Sequence, residues 1–178
     1  ALAIATQAGA HDPATDKAAR LISQEAGSLY DAMHGLIPRL MPLSLDTLGL
    51  AETLENLVRD WQRRYPSVAL SVRHDLSADL GPSLTLAIYR VVQEGLINAL
   101  RHAQASSVDI SVQSSADRIV VTVNDDGIGL PPDWSRPGHF GLRGLTERVE
   151  RLGGVVSVGN REPRGTRLCA EIPLTGHA

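Results

Sequence analysis

The chain has 178 residues, 43% of them apolar, and a formal net charge of −3, which suffices for one proper core plus an appendage. With 17 Lys and Arg against 20 Asp and Glu, there is no electrostatic case for binding nucleic acid or an anionic membrane surface. A single cysteine, Cys169, excludes an internal disulfide framework, and no apolar run approaches the roughly 18–20 residues of a membrane span.

Residues 1–10 have helix-forming composition but are too short, and lack the basic front, for a signal peptide. The chain opens mid-pattern without Met and reads as a fragment. Asp12 and Pro13 are suited to cap and begin a helix. From Ala14 onward Ala18, Leu21, Ile22, Leu29, Met33, Leu36 and Leu40 space out as one long amphipathic helix, punctuated by Pro38 and Pro42. Such a stripe, with no partner of its own, predicts packing on another helix or another chain. Residues 41–50 read as a turn-rich hinge, and residues 51–64 as a second helix with Leu54, Leu57, Val58 and Trp61 inward. Tyr65-Pro66 ends it, and Val68, Leu70 and Val72 alternate as a strand.

Gly81-Pro82 starts the central helix. Ile88, Val91, Val92, Gly95, Leu96, Ala99 and Leu100 recur at three- and four-residue spacings, the stripe of a helix turned to a core. Glu94 and Asn98 lie one turn apart at the edge of that stripe, and Arg101 follows on nearly the same line. A carboxylate and a carboxamide are hard oxygen ligands for a metal ion, and a guanidinium matches phosphate. The same three residues also fit a plain solvated flank. Strands follow at residues 108–112 and 118–124, where Ile119, Val121 and Val123 alternate. The second runs into Asn124-Asp125-Asp126-Gly127-Ile128-Gly129, whose glycines allow a sharp turn and close approach of a ligand. Residues 131–139 form a loop with three prolines and Trp134. Residues 141–152 read as a helix with a glycine-rich start, which suits a phosphate site or, through Gly144, close helix packing. Gly153-Gly154 caps it. Val156 and Val158 mark one more strand, and Leu168, Ala170 and Ile172 another, so Cys169 is read as a packed thiol. There is no Walker-type phosphate loop and no dinucleotide-binding glycine pattern.

Four of these motifs, in this order, resemble the GHKL ATP-binding domain over residues 89–174. Residues 94–102 resemble its N-box, Asp126-Gly127-Ile128-Gly129 its first glycine box, residues 140–145 its second, and Arg164-Gly165-Thr166 its last. The front third, through Arg39-Leu40-Met41-Pro42 and Leu45-Asp46-Thr47-Leu48-Gly49-Leu50, resembles one subfamily: two-component sensor histidine kinases that signal to NarL/LuxR-type response regulators. It looks most like those controlling hexose-phosphate uptake. Residues 131–139 then take the place of a short ATP lid. The resemblance implies an α/β (α+β) two-layer sandwich of the Bergerat type over residues 45–178. Residues 1–44 would be a partial dimerisation and histidine-phosphotransfer segment with its hinge. It further implies a homodimeric full-length protein anchored in the inner membrane, with this portion cytoplasmic.

The implied reaction moves the γ-phosphoryl of ATP to a histidine and on to a response-regulator aspartate. Asp126 would accept from the adenine amino group, Asn98 would coordinate Mg²⁺, and Glu94 would assist that metal or polarise the attacking histidine. Arg101 and His102 would line the phosphate path. Gly127 and Gly129 would make room for the nucleotide, Gly141, Leu142 and Gly144 would close over the phosphates, and Gly165 with Thr166 would support the adenine pocket. No histidine has the helical His-Asp/Glu setting of an acceptor: His11 precedes the helix-breaking Pro13, and His34 lacks an acidic neighbour after it. Two alternatives stay open at this point. One is another GHKL enzyme, a clamp ATPase or an anti-sigma serine kinase; the other is a nucleotide-binding dimerisation module without chemistry.

Overall fold

A computed structural model describes residues 43–76, 80–130 and 140–174. The chain divides into compact units at 1–41 and 42–178, so every described residue belongs to the second. The expectations for the first helices and hinge residues up to 42, for the lid at 131–139 and for His11, His34, His139 and His177 fall outside the described residues.

Eight elements follow in chain order: α1 (Leu43–Arg64), β1 (Ala69–Asp75), α2 (Pro82–Arg101), β2 (Ser107–Ser114), β3 (Arg118–Asp125), α3 (Phe140–Glu150), β4 (Val155–Asn160) and β5 (Thr166–Pro173). The strands form one sheet in the order β1-β2-β3-β5-β4. β1 runs parallel to β2, and the other neighbours are antiparallel. The sheet is therefore mixed, as expected of a two-layer α/β sandwich.

Alternation decides which face is covered. Val108, Ile110 and Val112 of β2, Ile119, Val121 and Val123 of β3, and Leu168, Ala170 and Ile172 of β5 are all buried. Their register sets Ile110 beside Val123 and Val123 beside Leu168, so one apolar face runs across the sheet. The opposite face carries Ser111, Asp109, Asn124, Arg167 and Glu171 at the alternate positions. Helix α2 lies on the apolar face with Leu84, Ala87, Ile88, Val91, Val92, Leu96 and Ala99 buried. Its start is built as the sequence suggests: Gly81 caps, Pro82 follows, and the N–H groups of Leu84 and Thr85 donate to the Gly81 carbonyl. α3 ends as expected at Gly153-Gly154. The Gly154 N–H donates to the Val149 carbonyl (3.0 Å) and Gly153 has φ 69°, a left-handed helix cap.

One reading is corrected. From Leu43 onward the segment read as a turn-rich hinge is helical, the first turns of α1, and only Gly49 departs, with φ 77° and ψ 175°. Pro42 immediately before a helix removes no hydrogen bond that the helix needs. Gly49 takes up the break as a kink, and Leu45 and Leu50 on either side of it are both buried.

Candidate functional site

Three elements converge on the site: the second half of α2, the turn after β3, and the start of α3. α2 approaches the sheet closely because Gly95 has no side chain. A methyl there would lie 2.8 Å from Val123 Cβ, tighter than real carbon contacts allow. Glu94 and Asn98 flank that contact and are half-buried. As the one-turn spacing predicts, they meet: Asn98 Nδ2 donates to Glu94 Oε1 at 3.3 Å. Arg101 and His102 sit exposed at the helix end, where the His102 N–H donates to the Asn98 carbonyl (3.0 Å).

At the end of β3 the two aspartates part company. Period-2 alternation carries Ile119, Val121 and Val123 onto the covered face, and Asp125 is the next residue on that face. It is 6% exposed. Its Oδ1 accepts from the Gly127 N–H (2.8 Å) and the Thr166 N–H (3.2 Å). Asp126, the carboxylate expected to face a base, points the other way instead. Its Oδ1 accepts from the N–H groups of Ser106 (2.7 Å) and Ser107 (2.8 Å), and its Oδ2 from the Ser106 hydroxyl. The Ser106 hydroxyl first, and the two backbone donors after it, hold the Asp126 carboxyl down at about 2. Asp126 is thus a brace that ties the turn to the start of β2.

The turn is gripped from both sides. On one side, the Ile128 N–H donates to the Ala103 carbonyl (2.8 Å), and Gly127 lies so close to that oxygen that any side chain would collide with it. On the other side stands the connection between β4 and β5. Arg161 donates to the Asp125 carbonyl (3.0 Å), Arg164 donates to the Asp126 carbonyl, and Asn160 accepts from the Leu130 N–H (2.7 Å). Gly165, at φ 101°, packs against the Asp125 carbonyl with no room for a Cβ. The site therefore brings together Gly127, Gly129, Gly165 and Thr166 around Asp125. Asn160 and Arg161 are additions that the motif reading did not name, whereas Arg164 opens the last glycine box and acts here through its bond to the Asp126 carbonyl.

At the third element, Gly141 of α3 lies directly against Glu94 Oε1. Leu142 is half-buried and its carbonyl accepts from Thr146 (2.9 Å). Gly144 is exposed, and among the described residues nothing lies within 4 Å of where a Cβ would stand, so none of them packs closely against it. A polar groove lined by Asp75, Gln113, Asp117, Arg118 and Glu171 lies at the opposite end of β3 from Asp125. Its arginine is already bonded to Glu171 (3.1 Å) and so offers no open anion site.

Among the described residues no cluster of three His, Cys, Asp or Glu side chains could cage a metal ion. The donor set, one carboxamide beside one carboxylate, is that of Mg²⁺ held mainly by phosphates and water, with one or two protein oxygens. The residues fit that ion.

Residues 84–176 match the model of the histidine kinase-, DNA gyrase B-, and HSP90-like ATPase family. The chain belongs to this family. Among curated relatives, it is 36% identical over 179 residues to the signal transduction histidine-protein kinase/phosphatase UhpB of Salmonella typhimurium, covering 96% of this chain and 35% of that protein. It spans less than half the length of the curated relatives it matches. Among solved structures, it resembles the histidine kinase domain of a blue-light-activated kinase from Erythrobacter litoralis. That match has a TM-score of 0.58 at 30% identity and covers 70% of this chain and 61% of that one. The ATP binding domain of PrrB from Mycobacterium tuberculosis matches at TM-score 0.54 and 26% identity, over 70% and 93% of the two chains. This member of the ATPase family is thus homologous to the catalytic, ATP-binding domains of sensor histidine kinases. No helix among the described residues is long and apolar enough to cross a membrane.

Proposed function

We propose that the chain is the ATP-binding catalytic portion of a sensor histidine kinase that passes the γ-phosphoryl of ATP to a histidine on a dimerisation helix. An imidazole nitrogen attacks the γ-phosphorus, and a nitrogen–phosphorus bond forms. The bond from phosphorus to the bridging oxygen breaks, and the electron pair leaves with ADP. The phosphoryl group then passes to an aspartate of a NarL/LuxR-type response regulator. The full-length protein is read as a membrane-anchored homodimer with this portion in the cytoplasm, a reading that rests on the resemblance of the front third to one kinase subfamily.

The observation that carries the proposal is the state of Asp125. It is a buried carboxylate with one oxygen fixed by two backbone donors, and no hydrogen bond from the described residues to its other oxygen. A fixed, acceptor-only group of this kind selects a base with an exocyclic amino group and rejects a carbonyl at the same position. The adenine-reading role therefore moves from Asp126 to Asp125, with Thr166, Gly165 and Gly127 shaping the pocket. Asn98 Oδ1 would hold the Mg²⁺, with Glu94 beside it; that ion would offset phosphate charge when bound. The N–H groups of the first turn of α3, at Gly141 and Leu142, would receive phosphate oxygens, and Gly144 would leave room for them. Arg101 and His102 stand at the outer end of the same helix edge.

Calorimetry with Mg-ATP, Mg-GTP and Mg-ITP tests the nucleotide half of the proposal. ATP is expected to bind at least tenfold more tightly than the other two, which carry a carbonyl where adenine has its amino group. Equal affinity for all three would overturn the assignment.

A further inference from the structure

The contact between Glu94 and Asn98 bears on which of them acts directly. An asparagine side chain has two unlike ends: its carbonyl oxygen can bind a cation, and its NH₂ cannot. A carboxylate accepts hydrogen bonds and donates none, so it can pair only with the NH₂ end. In the structure Asn98 Nδ2 is the atom that meets Glu94 Oε1, at 3.3 Å. Asn98 Oδ1 is thereby the end left for an ion. The Glu94 carboxylate is itself confined, because Gly141 of α3 lies against the same Oε1 atom and a methyl at that position would collide with it. Glu94 thus lies in a slot between Asn98 and the first turn of α3.

We infer that Glu94 is a positioning residue. It fixes the Asn98 carboxamide with its oxygen toward the metal–phosphate group, and it acts through Asn98, neither binding the ion nor taking a proton. This inference rests on the nucleotide-site reading above, and it separates charge from geometry at one position. Glutamine at position 94 keeps an oxygen that accepts from Asn98 Nδ2 and loses the charge. Alanine loses both.

The test compares wild type with Glu94→Gln, Glu94→Ala and Asn98→Ala. The first readout is the ratio of ATP affinities with and without Mg²⁺, by calorimetry. The second is the Asn98 side-chain amide resonance in metal-free protein, by ¹⁵N–¹H NMR. Glu94→Gln is expected to keep the Mg²⁺ ratio within about threefold of wild type and to keep the Asn98 resonance shifted from its free-amide position. Glu94→Ala should lower the ratio roughly tenfold and move the resonance to the free-amide position, and Asn98→Ala should lower the ratio at least as far. If Glu94→Gln loses as much as Glu94→Ala, the charge is what matters, and Glu94 is a ligand or a base. If Glu94→Ala changes neither readout, the contact has no role. Either result overturns the inference while leaving the nucleotide site standing. Wild type that fails to bind ATP overturns both.

Discussion

Replacing Asp125 with asparagine changes one atom of the proposed base-reading group and little else. Asparagine keeps an oxygen where Oδ1 now accepts from Gly127 (2.8 Å) and Thr166 (3.2 Å), so the turn retains its two backbone bonds. The change falls on the other arm, where an acceptor becomes an NH₂ donor facing the donor amino group of adenine. The loss is one hydrogen bond to a charged group, about 1.5–3 kcal/mol, which corresponds to roughly 10- to 150-fold weaker ATP binding. Asp126→Asn is the control. That side chain points to Ser106 and Ser107, and its substitution should change ATP affinity by less than about threefold, a few tenths of a kcal/mol. Calorimetric titration of both variants with Mg-ATP measures the two effects side by side. A tenfold loss in Asp126→Asn with Asp125→Asn near wild type would refute the strand-parity argument and return the role to Asp126.

Two further predictions concern folding. The Asp126 carboxyl is held down at about 2, below the roughly 3.9 of a free aspartate. A depressed carboxyl contributes stability that is complete above the unfolded value and is lost as pH falls through the folded one. Denaturant unfolding between pH 5 and 2 should therefore show a steeper acid loss in wild type than in Asp126→Asn; identical slopes would refute the brace. Gly95→Ala should destabilise the domain by about 1–3 kcal/mol, the range for overpacking a filled core, because a methyl would meet Val123 at 2.8 Å. A melting temperature at or above that of wild type would show that α2 moves away at no cost.

The helices and strands were legible because their periods differ. The stripe from Ile88 to Ala99 belongs to a helix, and Ile119, Val121 and Val123 belong to a strand. Carried one step further, that alternation places Asp125 on the covered face. The glycine motif alone points to Asp126, which adjoins Gly127, and two adjacent aspartates leave the choice to strand parity. The grips of Asn160, Arg161 and Arg164 on the turn join residues 30 to 38 positions apart, and no local pattern encodes such contacts. The same holds for Glu94 against Gly141. Residues 43–50 misled for a different reason. Pro42 and Gly49 are ordinary signals of a break, yet a proline is harmless just before a helix, and one glycine takes up the kink.

The central claim is phosphoryl transfer from ATP to a histidine, and the most direct measurement supplies that histidine separately. The chain is incubated with Mg²⁺ and γ-labelled ATP, with and without a dimerisation-helix fragment carrying a His-Asp/Glu acceptor. The account predicts label on the added helix and none on the chain alone, slow for want of a tether, and labile to acid but stable to base. Label that survives acid would point to a serine kinase. Label on the chain alone, lost in His11→Ala, would place the acceptor within this sequence and contradict the account.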